Sequence, residues 1–268
     1  MAGKHDHAHD LAGFEVVRTL KRDLFGRVDL CRLPDGILVV RRDTTRARWW
    51  TRGLAWWLAA REARALRVLA GVAPALKDRG SRINLENHGD TTTFELVRLA
   101  EQVGPEQVGI CLDTANLFVF AEHPVDAVRR AAPYVHMTHT KDAIVFFCDS
   151  GLQRQGRPVG QGCIDWETIL PILGEHEPGL QLSIEDHKWF FYAHVFQDEW
   201  LAQQQDLSRD ELARTLRLAW QTEQRIRTGA LKAPMEYEKT EYADEMEERL
   251  SSGRDYLRGL LHRLKLTD

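Results

Sequence analysis

The sequence predicts an α/β protein with four consecutive parallel βα units, half the number that closes an eight-stranded barrel. Three observations carry this prediction. Strand-like and helix-like segments alternate between about residues 80 and 190, a short run of strand-like segments precedes them, and the remainder is helical in its periodicity. The predicted fold is therefore a half TIM barrel between a small antiparallel α+β segment and C-terminal helices.

Composition narrows the class of protein. The 268 residues are 43% hydrophobic and 28% charged, which is ordinary for a globular domain. No apolar run approaches the roughly 20 residues that span a bilayer, and the polar start lacks the apolar stretch of a secretory signal. The four cysteines form no C-x-x-C pair, which argues against a disulfide framework or a thiolate zinc site. We therefore expect a cytoplasmic protein.

The first segment is predicted to hold three antiparallel strands. Residues 1–13 read as a disordered polar tail that carries His5, His7 and His9. The strand-like segments that follow are FEVVRTL, RVDLCRL and ILVVRR. Turn sequences separate them, at Asp23–Gly26 and at Leu33–Gly36.

A basic, tryptophan-rich helix is predicted from about Arg46 to Leu69. Trp49, Trp50, Trp56 and Trp57 fall on one face at helical spacing. Residues 1–79 contain 16 Lys and Arg against 9 Asp and Glu, whereas the rest of the chain is acidic. Packing on the strands or on a partner is the favoured interpretation, and a membrane surface is the alternative.

The middle of the chain is predicted to form the parallel sheet. The segments RINLENHG, VGICLDTAN, YVHMTHTKD and GLQLSIEDH read as strands, with helical segments between them. This β-α-β-α-β-α-β order implies parallel strands joined by right-handed crossovers. Helices follow from Asp198 onward, one of which starts at Ser208 as N-cap with Glu211 three residues later.

Each predicted parallel strand ends in a side chain that can bind a metal ion. These are Glu86, Asp113, His139 and Glu185. The carboxyl ends of parallel strands lie on the same side of a sheet, so we expect the four side chains to converge. Such an oxygen-rich set suits Mn²⁺, Mg²⁺ or Co²⁺, with Zn²⁺ also possible. A single strand-end carboxylate is more often a cap or a salt-bridge partner, but four in register indicate a site.

Five motifs in order carry a resemblance to a known family. They are INLENHGD, GICLDTAN, HMTHTKD, PVGQGCIDW and SIED. Together they resemble the xylose isomerase-like TIM barrel superfamily over about residues 82–190. That superfamily contains sugar phosphate isomerases and epimerases, ketose epimerases and AP endonucleases, so its fold alone does not name a substrate.

The resemblance implies roles for individual residues. It implies a divalent metal bound by the four strand-end residues, with Glu86 and Glu185 as a proton-transfer pair. It implies a sugar or sugar phosphate contacted by His88, Asn116, Lys141 and Asp142, and a close approach of the loop at Gly160 and Gly162. His136 is an alternative metal ligand, but His139 directly precedes the Thr-Lys-Asp of the motif. The further histidines of the AP endonucleases are not found, so no nucleic-acid partner is expected.

Residues 14–79 resemble a different fold, the N-lobe of a lipopolysaccharide-kinase-like protein. Gly26 would lie near the glycine-rich loop, Arg41 or Arg42 would replace the phosphate-binding lysine, and Glu62 would be its partner. The His-Arg-Asp and Asp-Phe-Gly sequences of a kinase are absent from the chain. We therefore expect no kinase activity.

The expected organisation is a tail (1–13), a kinase-N-lobe-like segment (14–79), a partial barrel (80–195) and a helical region (196–268). The favoured function is a metal-dependent sugar or sugar-phosphate isomerase or epimerase. One alternative is an inactive fusion whose basic N-terminal segment binds a partner or a membrane surface. Another is a metal-dependent hydrolase or lyase. The open edges of a half barrel also favour a homodimer.

Overall fold

The structure, a computed structural model, describes residues 14–23, 26–34, 36, 38–43, 52–188 and 190–266. The histidine-bearing tail, Trp49 and Trp50 lie outside the described residues. By its contacts the chain divides into two compact units, Met1–Ala65 and Leu66–Asp268. The four-part organisation expected from the sequence stays a prediction.

The first unit contains the predicted antiparallel sheet, which is confirmed. Strands β1 (Glu15–Asp23), β2 (Gly26–Arg32) and β3 (Leu38–Asp43) pair in that order. The carboxylate of Asp29 is fully buried and is held by Thr19 Oγ1 at 2.8 Å and Arg27 Nε at 2.7 Å. These partners offset the cost of burying a charge.

Helix α1 (Arg52–Asp78) ends nine residues later than expected. The sequence Gly71-Val-Ala-Pro74 suggested an end there, but Pro74 lies inside the helix. The chain leaves the helix only at Gly80, whose φ of 57° is left-handed and favours glycine. Trp57 is exposed, and the guanidinium of Arg61 lies 5.6 Å from its ring. The role of the tryptophan stripe stays a prediction.

The second unit is built on the predicted parallel sheet. Its elements follow in the order β4 (Ile83–Glu86), α2 (Thr93–Val103), β5 (Val108–Asp113), α3 (Pro124–Ala131), β6 (Val135–Thr140), β7 (Asp142–Cys148), β8 (Gly151–Arg157), α4 (Trp166–His176), β9 (Leu182–Ile184), β10 (Phe190–Ala193), α5 (Asp198–Gln203), α6 (Arg209–Arg227), α7 (Pro234–Tyr237) and α8 (Tyr242–Leu264). Strands β4, β5, β6 and β9 pair in that order, all parallel. The partial barrel is confirmed.

The core lies around β5, whose six residues are all buried. Side chains from α2, α3 and α4 are buried with it, which explains the apolar stripe on each of these helices. A capping box between Thr92 and Glu95 starts α2, the element that follows β4. Within the described residues, β4 and β9 each pair on one side only, so these strands do not close a barrel.

A second, antiparallel sheet was not predicted. Strands β7, β8 and β10 pair in the order β10-β8-β7, and no strand was predicted for residues 143–157. Residues Ala143–Phe147 form a continuous apolar run without alternation, which periodicity alone cannot assign to a strand. This sheet places β8 beside the ends of the parallel strands, as the contacts below show.

The C-terminal helices are confirmed, as is the predicted start of α6. The Ser208 hydroxyl accepts a hydrogen bond from the Glu211 N–H at 3.0 Å. The buried Glu211 carboxylate also lies 3.2 Å from Arg130 of α3, which ties α6 to the sheet-covering helices. No described helix is long and apolar enough to cross a membrane.

Candidate metal centre

The four strand-end side chains converge at one point. Each offers a ligand atom, and these atoms lie within 4.8 Å of one another. Their positions follow from the parallel register, because Asp113 of β5 is paired with His139 of β6. His139 Nδ1 lies 3.1 Å from Glu86 Oε1 and 2.9 Å from Glu185 Oε2.

Asp113 is the most rigidly held of the four. Its Oδ1 accepts hydrogen bonds from the backbone N–H groups of Ala115 at 3.0 Å and Asn116 at 2.9 Å. Its Oδ2 lies 2.7 Å from Lys141 Nζ. Burial raises the pKa of Asp113 above its usual value, and the Lys141 charge and these hydrogen bonds oppose that rise.

Lys141 is the only cationic side chain whose contacts within the described residues join two of these carboxylates. Its Nζ lies 2.7 Å from Asp113 Oδ2 and 3.0 Å from Glu185 Oε1, and its side chain is 6% exposed. Partial burial raises the pKa of Glu185, but Lys141 and His139 together bring that pKa below its usual value. The Lys141 charge therefore favours the ionised form of the two carboxylates that it contacts.

Asn87 holds the backbone of Asp113, and no role was predicted for it although it lies in the INLENHGD motif. Its Nδ2 donates to the Asp113 carbonyl at 2.8 Å, and its Oδ1 accepts from the Asp113 N–H at 2.8 Å. The amide thus pairs with the backbone N–H and C=O of one residue, as a neighbouring strand would, just where β4 has ended. Its position directly after Glu86 is the signal that could have found it.

Substituting Asn87 with alanine should weaken the site without removing a ligand. We expect the affinity for Mn²⁺ to fall by about 10- to 100-fold, the usual cost of losing a group that orients a ligand. Isothermal titration calorimetry measures this. The control is Gln153→Ala, which removes an exposed amide from β8. An unchanged Mn²⁺ affinity in Asn87→Ala would show that Asn87 does not position Asp113.

The structure separates the two histidines of β6 that the sequence left as alternatives. His136 Nδ1 lies 3.3 Å from Glu177 Oε2, away from the carboxylate cluster. His136 lies near the start of β6, where a Cβ added at Gly109 would lie 2.6 Å from its ring, whereas His139 lies near the end of β6 and is paired with Asp113. The structure brings His139, not His136, to the other three side chains.

The residues expected to contact a sugar are not all at the site. His88 is exposed, with its ring 6.1 Å from that of Phe191 on β10. Asn116 is buried beside Asp113, and its Oδ1 accepts a hydrogen bond from Arg154 at 2.8 Å. Lys141 lies within the carboxylate cluster, as described above.

Asp142 has a different position from the one expected. Its oxygens accept from the indole of Trp166 at 2.9 Å and from the backbone N–H groups of Gly160 at 2.9 Å and Gly162 at 3.2 Å. Burial nevertheless raises the pKa of Asp142 to about 6. A Cβ at Gly162 would lie 2.0 Å from this carboxylate, so the glycine serves the loop's approach to Asp142. This buried, fully engaged carboxylate does not fit a contact with sugar hydroxyls.

The family model described as "Xylose isomerase-like TIM barrel" matches residues 38–219, more than half of the chain. The chain belongs to that family. The match begins inside the segment expected to resemble a kinase N-lobe, and these comparisons give that resemblance no support.

Two curated relatives match parts of the chain. The protein YihM of Escherichia coli is 30% identical over 134 residues, which are 49% of this chain and 41% of YihM. A 3-oxo-isoapionate decarboxylase of Pectobacterium atrosepticum is 23% identical over 123 residues, 45% of each chain. The chain therefore spans less than half the length of these relatives.

Solved structures of the same family are also similar. A xylose isomerase domain protein from Planctomyces limnophilus is 22% identical, with a TM-score of 0.39, over 62% of this chain and 54% of that one. A Mycobacterium smegmatis xylose isomerase-like TIM barrel protein in complex with magnesium is 17% identical, with a TM-score of 0.42, over 60% and 51%.

The donor set of this xylose isomerase-like barrel fits a divalent cation. Three carboxylates and one imidazole lie in one cluster, and only Lys141, among the described residues, places an ammonium group against it. With all carboxylates ionised, the cluster keeps two uncompensated negative charges. A divalent ion would neutralise them, and carboxylate oxygens with imidazole suit Mg²⁺, Mn²⁺, Co²⁺ or Zn²⁺.

Proposed function

We propose that this chain carries the metal-dependent active site of a sugar or sugar-phosphate isomerase or epimerase. The observation that carries the proposal is the convergence of Glu86, Asp113, His139 and Glu185, with Lys141 on two of the carboxylates. Family membership supports the scaffold and leaves the substrate open. Because the chain spans less than half of its curated relatives, the activity of a whole protein belongs to this proposal.

The two glutamates have the exposure that proton transfer requires. Asp113 is inaccessible, whereas the side chains of Glu86 and Glu185 are 29% and 45% exposed. Carboxylates that a substrate can reach are suited to act as general base and acid. One glutamate removes the proton from the carbon next to the carbonyl, and the other returns a proton to the opposite face for epimerisation.

Lys141 is placed to stabilise the oxygen that gains charge in this step. As the C–H bond breaks, its electron pair forms a C=C bond and the carbonyl π electrons move to oxygen. The Nζ of Lys141 can donate a hydrogen bond to that oxygen from a buried position, where electrostatic stabilisation is strong. A divalent ion, when bound, supplies Lewis acidity at the carbonyl and the adjacent hydroxyl.

The proposal is tested in the full chain. Titration with Mn²⁺, Mg²⁺, Co²⁺ and Zn²⁺ should show one saturable site. In D₂O, proton NMR should then show exchange of the proton next to the carbonyl in a member of a panel of ketoses and ketose phosphates. Glu86→Gln and Glu185→Gln should each slow this exchange by at least about 100-fold, as expected for a lost general acid or base.

The matched control is Glu167→Gln, an exposed carboxylate in the first turn of α4. Flat isotherms for all four metals would overturn the proposal. Exchange that persists in both Glu86→Gln and Glu185→Gln would exclude these two glutamates as the proton-transfer pair.

A lyase is the second candidate, favoured by the curated relative named as a decarboxylase. Decarboxylation next to a carbonyl moves the electrons of the broken C–C bond to the carbonyl oxygen. In a dehydration, removal of the proton next to the carbonyl does the same before hydroxide is expelled, so Lys141 would serve the same purpose. The two candidates differ in product. A 3-keto sugar acid, which has the carboxylate that a ketose lacks, is added to the panel of the same NMR assay. A decarboxylated or dehydrated product, formed without deuterium exchange into the remaining starting compound, would select the lyase.

A further inference from the structure

Arg154 of β8 is a buried cation beside the candidate metal centre. It is 2% exposed, and its Nη2 donates to Asn116 Oδ1 at 2.8 Å. Asn116 in turn donates its backbone N–H to Asp113 Oδ1 at 2.9 Å. The other side of the guanidinium faces Phe191, whose ring centroid is 4.6 Å away. Arg154 is therefore two hydrogen bonds from a proposed metal ligand.

Part of this guanidinium has no hydrogen-bond partner. Nε and Nη1 of Arg154 are buried and unpaired with respect to the described residues, and so is Nδ2 of Asn116. Leaving buried donors unpaired is costly, and more so when the group is charged. Burial lowers the pKa of Arg154 to about 10, with Asp113 and Glu185 opposing the fall, so the group stays cationic at neutral pH.

Arg249 shows how the same chain treats a buried arginine that has a structural role. It is 3% exposed, and its Nε and Nη2 lie 2.6 and 2.7 Å from the two oxygens of Asp186. That fork-to-carboxylate pairing leaves the guanidinium satisfied. Arg154 has the same burial, and no carboxylate forms a hydrogen bond or an ion pair with it among the described residues.

We propose that Arg154 and Asn116 form a subsite that binds an anionic group of the substrate, a carboxylate or a phosphate, next to the metal centre. The proposal rests on the proposed function and narrows its substrate class. The unpaired Nε–H and Nη1–H groups of Arg154 lie on different edges of the guanidinium, and the oxygens of either anionic group can accept from them. The Asn116 amide supplies a third donor.

The negative charge of the carboxylates does not by itself explain why a second cation, Arg154, is buried beside the centre. Lys141 already contacts Asp113 and Glu185 directly, at 2.7 and 3.0 Å. Arg154 instead uses one nitrogen on the neutral oxygen of Asn116 and keeps its remaining donors unused. A bound oxyanion would satisfy them.

Calorimetry on the Mn²⁺-loaded full chain tests the subsite with three matched probes: D-xylulose, D-xylulose 5-phosphate and D-xylonate. We expect at least one of the two anions to bind 10-fold or more tightly than the neutral sugar. Which anion does so separates a phosphate from a carboxylate site. Arg154→Met should lower the affinity for that anion by about 10- to 100-fold, the range for hydrogen bonds to charged groups. The affinities for the neutral sugar and for Mn²⁺ should not change.

Arg217→Met, an exposed arginine of α6, is the control and should keep the preference. If Arg154→Met does not fold, Arg154→Lys keeps the charge but not the fork and should lose most of the preference. Equal affinities for the anions and the neutral sugar would overturn the subsite. So would an Arg154→Met protein that keeps the preference for the anion. Failure of Mn²⁺ to bind would instead overturn the proposed function, so the two failures are distinguishable.

Discussion

Asp113→Asn is expected to reduce Mn²⁺ affinity by at least about 100-fold, at or beyond the range seen when a supporting group is lost. The substitution keeps the shape of the side chain and removes its charge. The amide NH₂ then faces the ammonium of Lys141, which now lies 2.7 Å from Asp113 Oδ2. Breaking a buried ion pair from one side costs about 3–5 kcal/mol, so the free energy of unfolding should fall by a similar amount.

Calorimetry and urea unfolding measure the two effects. The matched control is Asp165→Asn, which changes an exposed N-cap of α4 whose side chain accepts from Thr168 N–H at 3.1 Å. Asparagine caps helices about as well as aspartate, so both quantities should hardly change there. An Asp113→Asn protein that binds Mn²⁺ like the unmodified chain would exclude Asp113 as a ligand.

Lys141→Met should raise the affinity for Mn²⁺ and lower the free energy of unfolding. Without a metal, removing the ammonium leaves Asp113 buried without its ion-pair partner, and the unfolding free energy should fall by about 3–5 kcal/mol. With no positive charge competing at the carboxylates, Mn²⁺ affinity should rise by at least about 10-fold, since like charges a few ångströms apart repel strongly. Saturating Mn²⁺ should therefore raise the melting temperature more in Lys141→Met than in the unmodified chain.

Lys188→Met is the control for this experiment. Lys188 is as buried as Lys141, and its ammonium lies 2.9 Å from Glu245 Oε2. We expect Lys188→Met to lose stability with no change in Mn²⁺ affinity. An unchanged or weaker Mn²⁺ affinity in Lys141→Met would show that the ammonium does not compete with the cation.

The pattern of apolar segments in the sequence predicted the parallel sheet. The four parallel strands are short apolar segments whose polar ends coincide with the candidate ligands, so their order and their convergence follow from local sequence. In the antiparallel sheet, β7 was missed because its apolar run shows no alternation, and β10 because it lies more than thirty residues from its partner β8. Pairing over such a distance leaves no local pattern.

Some residues of the site could be predicted from their place on a strand, and others could not. The convergence of four side chains was predictable because each lies within one residue of a strand end: Glu86, Asp113, His139 and Glu185. The family resemblance implied that Asp142 contacts a sugar, and the structure shows its carboxylate bonded to the loop of Gly160 and Gly162. Adjacent residues of an extended chain point to opposite sides, so sequence proximity to a site does not place a side chain in it.

By itself the sequence determined that four parallel strands would bring three carboxylates and a histidine together, because side-chain alternation and strand direction are local properties. Tertiary structure alone decided which groups surround them. Contacts between different strands and loops place these groups. Lys141 lies between two carboxylates, Asn87 bonds to the backbone of Asp113, and Arg154 bonds to Asn116. Such contacts are set by packing, which the periodicity of one segment does not encode.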